Sequence, residues 1–299
     1  MPVTDPNTLT RGIKAQFQRA YASVLESVEM TGIESVATTI VSDGASETYN
    51  WLGDVPAIKE WLADKTMGDL ADQTYSITNK DFYTGITVDR NALEDEQING
   101  IPERVAFMAR AMALHKAELI SDLVTNGTTD TAYDSSAFFA NRTAPNDNLL
   151  AGSGTTLAQI KADIQSTRAA MMKFTDPNTS RVLHIIGDTI YCPPELEGSM
   201  LEVVGSTTDP SLTGSANFNA TNRFIKAVVA DPRLSDANDW YLLATTYPLK
   251  PFIFQERKAP TIVLDRTEEA RNRKIHYSVE SRRNAGYGFF QMAAKVVNS

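Results

Sequence analysis

The residues able to do covalent or metal chemistry are few: one cysteine, Cys192, and three histidines, His115, His184 and His276. His184 and Cys192 flank one strand-to-helix turn, the placement a Cys–His nucleophile needs if the imidazole is to take the thiol proton. The other reading of the pair is a small buried thiol beside Pro193 and Pro194. His115 falls on the apolar stripe of a helix, where a satisfied, packed histidine is the simpler reading. Glu94, Asp95 and Glu96 could chelate a hard cation, yet three carboxylates ahead of a helix also suit its dipole with no ion at all. Two glycine clusters, AGSGT from Ala151 and AGYG from Ala285, lack the strand–loop–helix layout that cradles phosphate. P-loop, dinucleotide, HExxH, paired CxxC and calcium-loop spacings are missing from the sequence. The chain offers no catalytic, cofactor or metal site and reads as a non-enzyme.

The elements that position these residues centre on Gln97–Gly127. Ile101, Val105, Met108, Met112, His115, Leu119 and Leu123 recur every three or four residues, the stripe of one long helix. Asn99 suits its cap, Pro102 its first turn, and Gly127 a left-handed stop. Thr8–Ser27 is a second amphipathic helix, with Ile13, Phe17, Ala20, Tyr21, Val24 and Val28 on one face, and Val41–Asn50 reads as a linker. Trp51 and Trp61 bracket a Gly/Pro-containing segment. Tyr75 and Ile77 alternate before Asn79-Lys80-Asp81, and Phe82, Thr84, Ile86 and Val88 after it. That pattern predicts a hairpin, which must lean on its own chain or another copy to be stable.

Beyond the long helix, Thr128–Thr156 reads as an ordered excursion, because Phe138 and Phe139 need burial. Thr155 or Thr156 caps a helix over Leu157–Phe174, with Leu157, Ile160, Ile164 and Met171 inward. Val182–Ile186 reads as a strand, and Pro194–Val204 as a helix opened by proline. Further strands are predicted at Phe224–Ala230, Trp240–Thr245, Pro251–Glu256 and Thr261–Leu264, and on both sides of Gly286 and Gly288 within Lys274–Val297. The class is α+β.

The 299 residues carry a net charge of −9, which argues against sequence-specific reading of nucleic acid. The charge is uneven: residues 250–299 hold ten Lys/Arg and five Asp/Glu. This contrast suits either docking between copies or pairing of a basic terminal region with its own acidic domain. A single cysteine forbids an internal disulfide and points to a reducing compartment. No signal core or membrane span is apparent, so synthesis in the cytoplasm is expected.

Taken together, WLGDVPAIKEW, YSITNKDFYTGITVDRNALEDE, the long helix, the PPELE turn and YSVESRRNAGYGFFQMA closely resemble the major head subunits of Mu-like phages and prophages. The match runs in order from about Trp51 to Met292. It departs at Asp134, followed by Ser135 where that family often has glycine, and at Arg142, near the place of a histidine. The resemblance implies the tailed-phage major capsid fold, Hong Kong 97-like. Its parts would be an N-terminal arm over 1–48, and a Trp-rich segment with an extended loop hairpin over 49–91. A peripheral domain would cover 92–154 and 266–299, and an axial domain 155–265. No pro-segment is visible before Thr8, so a mature chain or a separate scaffold is expected.

The function implied is a structural subunit that self-assembles, in pentamers and hexamers, into an icosahedral head around double-stranded DNA. Scaffolding, portal and decoration proteins would be further partners, DNA contact would be non-specific, and the location would be the virion capsid. Inter-subunit contacts are expected at Phe17, Tyr21, Trp51, Trp61, Tyr75, Ile77, Phe82, Ile86, Arg282 and Arg283. Two alternatives stand: a nanocompartment shell around an enzyme cargo, and a cytosolic hydrolase using Cys192 and His184.

Overall fold

The computed structural model describes residues 6–25, 32–33, 35–49, 75–89, 101–177, 180–208 and 218–298. The chain opens with helix α1 (Pro6–Leu25) and strands β1 (Ala37–Val41), β2 (Ser46–Tyr49), β3 (Tyr75–Thr78) and β4 (Lys80–Asp89). The long helix α2 (Ile101–Asn126) precedes β5 (Leu149–Ala151), α3 (Leu157–Met172), β6 (Thr189–Cys192), α4 (Pro194–Gly205) and one turn, α5 (Thr221–Phe224). Then come β7 (Ala227–Ala230), β8 (Trp240–Leu243), β9 (Phe252–Asp265), a short α6 (Glu269–Asn272), β10 (Lys274–Tyr287) and β11 (Ala293–Val297). The strands form a four-stranded sheet ordered β1-β9-β10-β4, a five-stranded sheet ordered β5-β11-β8-β6-β7, and a β2-β3 ribbon.

In the four-stranded sheet β10 alternates along its length. Ile275, Tyr277, Val279, Ser281 and Arg283 are buried, while His276, Ser278, Glu280, Arg282 and Asn284 are half-exposed. The buried side packs with α1 and the first half of α2, where Phe17, Val105, Met108, Ala109 and Met112 meet Val88, Ile275, Tyr277 and Val279. One face is apolar and the other wet, as period-two patterning requires.

The helical stripe holds in that first half and then shifts. Past Met112 the fully buried line is Ala113, Ala117, Ile120 and Val124, and His115, Leu119 and Leu123 are only half-buried. The first half rests on one sheet, whereas the second joins the cluster between both sheets, with Phe138, Phe139, Tyr191, Tyr241, Phe252 and Tyr287. Alanine there allows close approach. Gly127 does not stop the helix in a left-handed turn, for Gly154 is the only described glycine with positive φ. It is needed because a Cβ would stand 2.6 Å from the Phe139 ring.

The five-stranded sheet is buried on both faces, and every residue of β6 and β8 is buried. Tyr191, Tyr241, Leu243 and Ala293 enter the cluster shared with α2. Ile190, Cys192, Trp240, Leu242, Ala294 and Val296 enter a second cluster with Ile160, Ile164 and Met171 of α3 and Leu196, Met200 and Val203 of α4. Thr156 begins α3, its N–H donating to Gln159 Oε1 at 3.2 Å.

Four expectations change. Val41–Asn50 is not a linker: β1 ends and β2 begins within it, around a turn in which Glu47 accepts from the Ser42 hydroxyl at 2.8 Å and the Gly44 N–H at 2.8 Å. Asn79-Lys80-Asp81 does not close a hairpin. β3 pairs with β2, and β4 pairs with β10 in antiparallel register from Lys80–Arg283 to Asp89–Lys274. The buried Asn79 side chain fixes this step from one sheet to the other, donating to Ser42 Oγ at 2.8 Å and Gly44 O at 3.0 Å. Val182–Ile186 makes only an isolated bridge at Val182, and His184 adopts φ 56°, which interrupts extended backbone. The two short strands predicted over Pro251–Leu264 are one strand, β9. It carries register shifts against Glu280–Arg283 where the break was placed, consistent with bulges near Pro260.

The strands nearest the anticipated domain limits also fall where those limits would divide sheets. β9 belongs with β10 and β4, and β11 with β8 and β6. Phe138 and Phe139 are fully buried, in keeping with an ordered excursion over Thr128–Thr156.

Candidate assembly surface

Chemistry by Cys192 requires a thiolate in reach of solvent and base. The thiol is fully buried at the end of β6, and burial pushes its pKa up to about 12, with Glu197 adding to the rise. His184 lies exposed on the irregular segment before β6, so no activated nucleophile forms. Among the described residues no group of His, Cys, Asp and Glu is arranged to hold a metal. Glu94, Asp95 and Glu96 lie outside the described residues, as do Asn99, Trp51 and Trp61.

Both glycine clusters serve packing. In AGSGT the backbone donors are already engaged: Ser153 N–H donates to Asp163 at 2.8 Å and Gly154 N–H to Asn298 Oδ1 at 3.2 Å. In AGYG, a Cβ at Gly286 would stand 2.5 Å from Ile77. Its absence lets the β2-β3 ribbon lie on the four-stranded sheet.

His115 packs against Phe82 with ring centroids 4.2 Å apart. Burial, together with the charge of Arg283, holds its pKa down to about 4, so the ring is neutral near pH 7. Its Nδ1 is buried without a hydrogen bond among the described residues, so the histidine is packed but not satisfied.

Several residues anticipated at subunit contacts lie in this helix–sheet joint within one chain. Arg283 is fully buried and donates from Nη2 to the Met112 carbonyl at 2.6 Å and to Met112 Sδ at 3.0 Å. Burial lowers its pKa, while the charge and hydrogen bond of Tyr21 and the charge of Glu256 oppose that shift. Phe17 is buried, and stacks with Tyr21 at 5.8 Å. Thus Phe17, Tyr21 and Arg283 come together inside one chain, and Ile86 is partly buried against the same cluster. Ile77 is buried, and the Tyr75 hydroxyl accepts from Tyr287 N–H at 3.1 Å.

The outer face of the four-stranded sheet is different in kind. Arg282 pairs loosely with Asp81 at 3.6 Å, Lys258 with Glu280 at 3.6 Å, and His276 with Glu268 at 3.6 Å. Tyr83 stands 81% exposed among them. Such exposed pairs stabilise a lone chain by ~0–1 kcal/mol, so this surface is free to serve contacts between molecules.

Sequence reasoning missed two polar joints. Asp231, fully buried after β7, accepts hydrogen bonds from Ser121 of α2 and Tyr191 of β6, and from Arg233 N–H at 3.0 Å. This ties the long helix to the five-stranded sheet, and burial with the Asp231 charge raises the Tyr191 pKa far above its ordinary value. No spacing rule marks three residues so far apart in the chain. The second joint is Arg142, whose guanidinium bonds Asp134 at 2.9 Å, Ala137 O at 2.8 Å and Asn148 Oδ1 at 2.7 Å, and stacks 3.7 Å from the Phe290 ring centre. Here a signal existed, since Arg142 and Ser135 are the positions that depart from the resembled family. Ser135 adopts φ 60°, a conformation in which glycine is at ease.

Comparison with known proteins follows the same lines. The family described as Mu-like prophage major head subunit gpT matches residues 7–156 and 225–299. The major head subunit of the Mu-like prophage FluMu of Haemophilus influenzae is 29% identical over 267 residues, covering 87% of this chain and 64% of that protein. The major capsid protein of Escherichia phage Mu is 26% identical over 265 residues, covering 87% and 65%. The chain therefore spans less than two thirds of the length of these curated relatives. Among solved structures, the procapsid of bacteriophage JBD30 superposes over 97% of this chain and 75% of that chain, with a TM-score of 0.53 and 26% identity.

Proposed function

Because the chain belongs to the Mu-like prophage major head subunit family, we propose that it is the repeating unit of an icosahedral phage head that encloses double-stranded DNA. The observation that carries this reading is its likeness, over nearly its whole length, to the subunit of an assembled procapsid. A shell needs one rigid body repeated many times with weak contacts on several faces, because closure multiplies each contact. The helix–sheet joint supplies the rigidity, and the exposed face carrying Arg282 and Tyr83 supplies contact surface.

In this reading the peripheral part is the four-stranded sheet with α1 and α2, and the axial part is the five-stranded sheet with α3 and α4. The β2-β3 ribbon brackets residues 50–74 and is the base of the extended loop. Trp51, Trp61 and Arg282 are then the contact residues to examine first, whereas Phe17, Ile77 and Arg283 hold the subunit itself together. Subunits made in the host cytoplasm close into pentamers and hexamers of the virion shell, with scaffolding, portal and decoration proteins as partners.

The test is negative-stain electron microscopy with light scattering on the chain expressed alone and, in parallel, with a scaffolding protein. Closed shells, tubes or rings of five and six support the assignment. A monomer under both conditions overturns it. Nucleic acid in the purified shells supports a DNA container, and a co-purified enzyme in its place favours a nanocompartment.

A further inference from the structure

Helix α1 departs from the charge balance of the chain. The chain is net −9, yet the twenty residues of α1 contain Arg11, Lys14 and Arg19 and no Asp or Glu. All three cations are exposed. With Phe17 turned inward, Arg19 falls on the opposite side of the helix, Gln18 and Arg11 on one flank, and Lys14, one turn before Phe17, at the edge of the buried side. At 1.5 Å per residue the cations span about 12 Å of the axis. Among the described side chains of α1, the other exposed residues are Gly12, Ala15, Gln16, Ala22 and Ser23, small or polar. The adjoining turns of α2 add exposed Arg104, while Lys116 is turned away, over the Phe254 ring at 4.8 Å.

We infer that this face of α1, continued by Arg104, is the inner surface of the shell and holds the phosphates of packaged duplex DNA. The inference rests on the shell reading and adds to it the surface and the chemistry of contact. A protein partner would be expected to meet an apolar centre with charges at its rim. Here the first helix offers three cations and no carboxylate, and among the described side chains of either helix the one large apolar group exposed is Phe107. A polyanion needs neither an apolar anchor nor a fixed register. The carboxylates nearest in sequence, Asp5 and Glu26, lie outside the described residues.

The experiment is fluorescence anisotropy of a labelled 30-base-pair duplex of arbitrary sequence titrated with the full chain between 50 and 200 mM NaCl. Each phosphate contact contributes a slope of about −0.9 in log K against log salt. Wild-type protein should therefore lose about 40-fold more affinity across that range than R11Q/K14Q/R19Q, whose slope falls by about 2.7. R257Q/K258Q, on the other face of the sheet, should keep the wild-type slope. Electron microscopy of the triple variant should show shells with a reduced nucleic-acid content. An unchanged slope in the triple variant, or an equal loss in R257Q/K258Q, overturns the inference. So does a triple variant that no longer assembles while its salt-dependent binding persists, for the face would then be a contact between copies or with an acidic scaffold. Wild-type chain that assembles but shows no salt-dependent binding refutes the DNA contact alone, whereas chain that binds DNA but never assembles refutes the shell.

Discussion

Strand β10 runs fourteen residues with one side half in water, whereas β6 and β8 are four residues each and wholly buried. Both sheets contribute to the cluster around α2. The first turns only one face to apolar neighbours and needs length; the second has a core on each side and needs little. In the first sheet half of the side chains are available for purposes other than folding. In β6 and β8 none are. Side chains left over from folding therefore lie on the wet side of the long sheet, whereas β6 and β8 are committed to the core.

The sharpest way to break this contrast is to cut into each sheet in turn. Trp240→Ala, in the centre of the five-stranded sheet, should cost about 3–5 kcal/mol in urea unfolding, while Tyr83→Ser on the wet face should stay within about 0.5 kcal/mol. Comparable losses at both sites would abolish the distinction. Next in size is the buried cation of the long sheet. Arg283→Ala should cost about 2–4 kcal/mol through the space it leaves, and Arg283→Met should recover most of that, because an apolar chain of similar length fills the site. If Met is as damaging as Ala, the hydrogen bonds to Met112 matter more than the packing.

A smaller effect is expected from His115, beneath the same helix. Its folded pKa, held at about 4, lies below the ordinary 6.5. Between these values the unfolded chain binds more protons, so stability present above about 6.5 is lost as the pH falls towards about 4. His115→Gln should flatten the fall in Tm across that window, and an unaltered slope would place the acid sensitivity elsewhere. Least of all, Ser135→Gly should raise stability by about 0.5 kcal/mol by relieving a left-handed backbone, and a loss would mean that the serine side chain supports the Arg142 joint.

Much of the long sheet was legible because water on one side leaves a period-two record. Phe82, Thr84, Ile86 and Val88 could be assigned to one face of a strand before its partner was known. The partner itself was not legible. Asn79-Lys80-Asp81 has the composition of a turn whether the chain folds back or steps from one sheet to another, and only the buried amide of Asn79 separates the two cases. The helical stripe was readable as far as Met112; past it, contact with two sheets moved burial to Ala117, Ile120 and Val124. In the short sheet both faces are buried, so alternation leaves no trace. Phe17 and Ile77, expected at contacts between copies, are already buried within one chain, and an apolar side chain in sequence does not say whose chain covers it.

The register shifts between β9 and β10 carry a consequence for how this chain can change length. At Glu280–Arg283 the sheet already accommodates extra residues on β9, where Arg257, Lys258 and Ala259 are exposed. A further residue there displaces charges in water. One residue added to β6 would exchange Tyr191 with Cys192 and Ile190 between two closed cores, because a single-residue slip inverts every side chain. Insertions and peptide grafts are thus admissible in the long sheet near Pro260 and lethal in the short one, a boundary that a scan of single-residue insertions would draw along the chain.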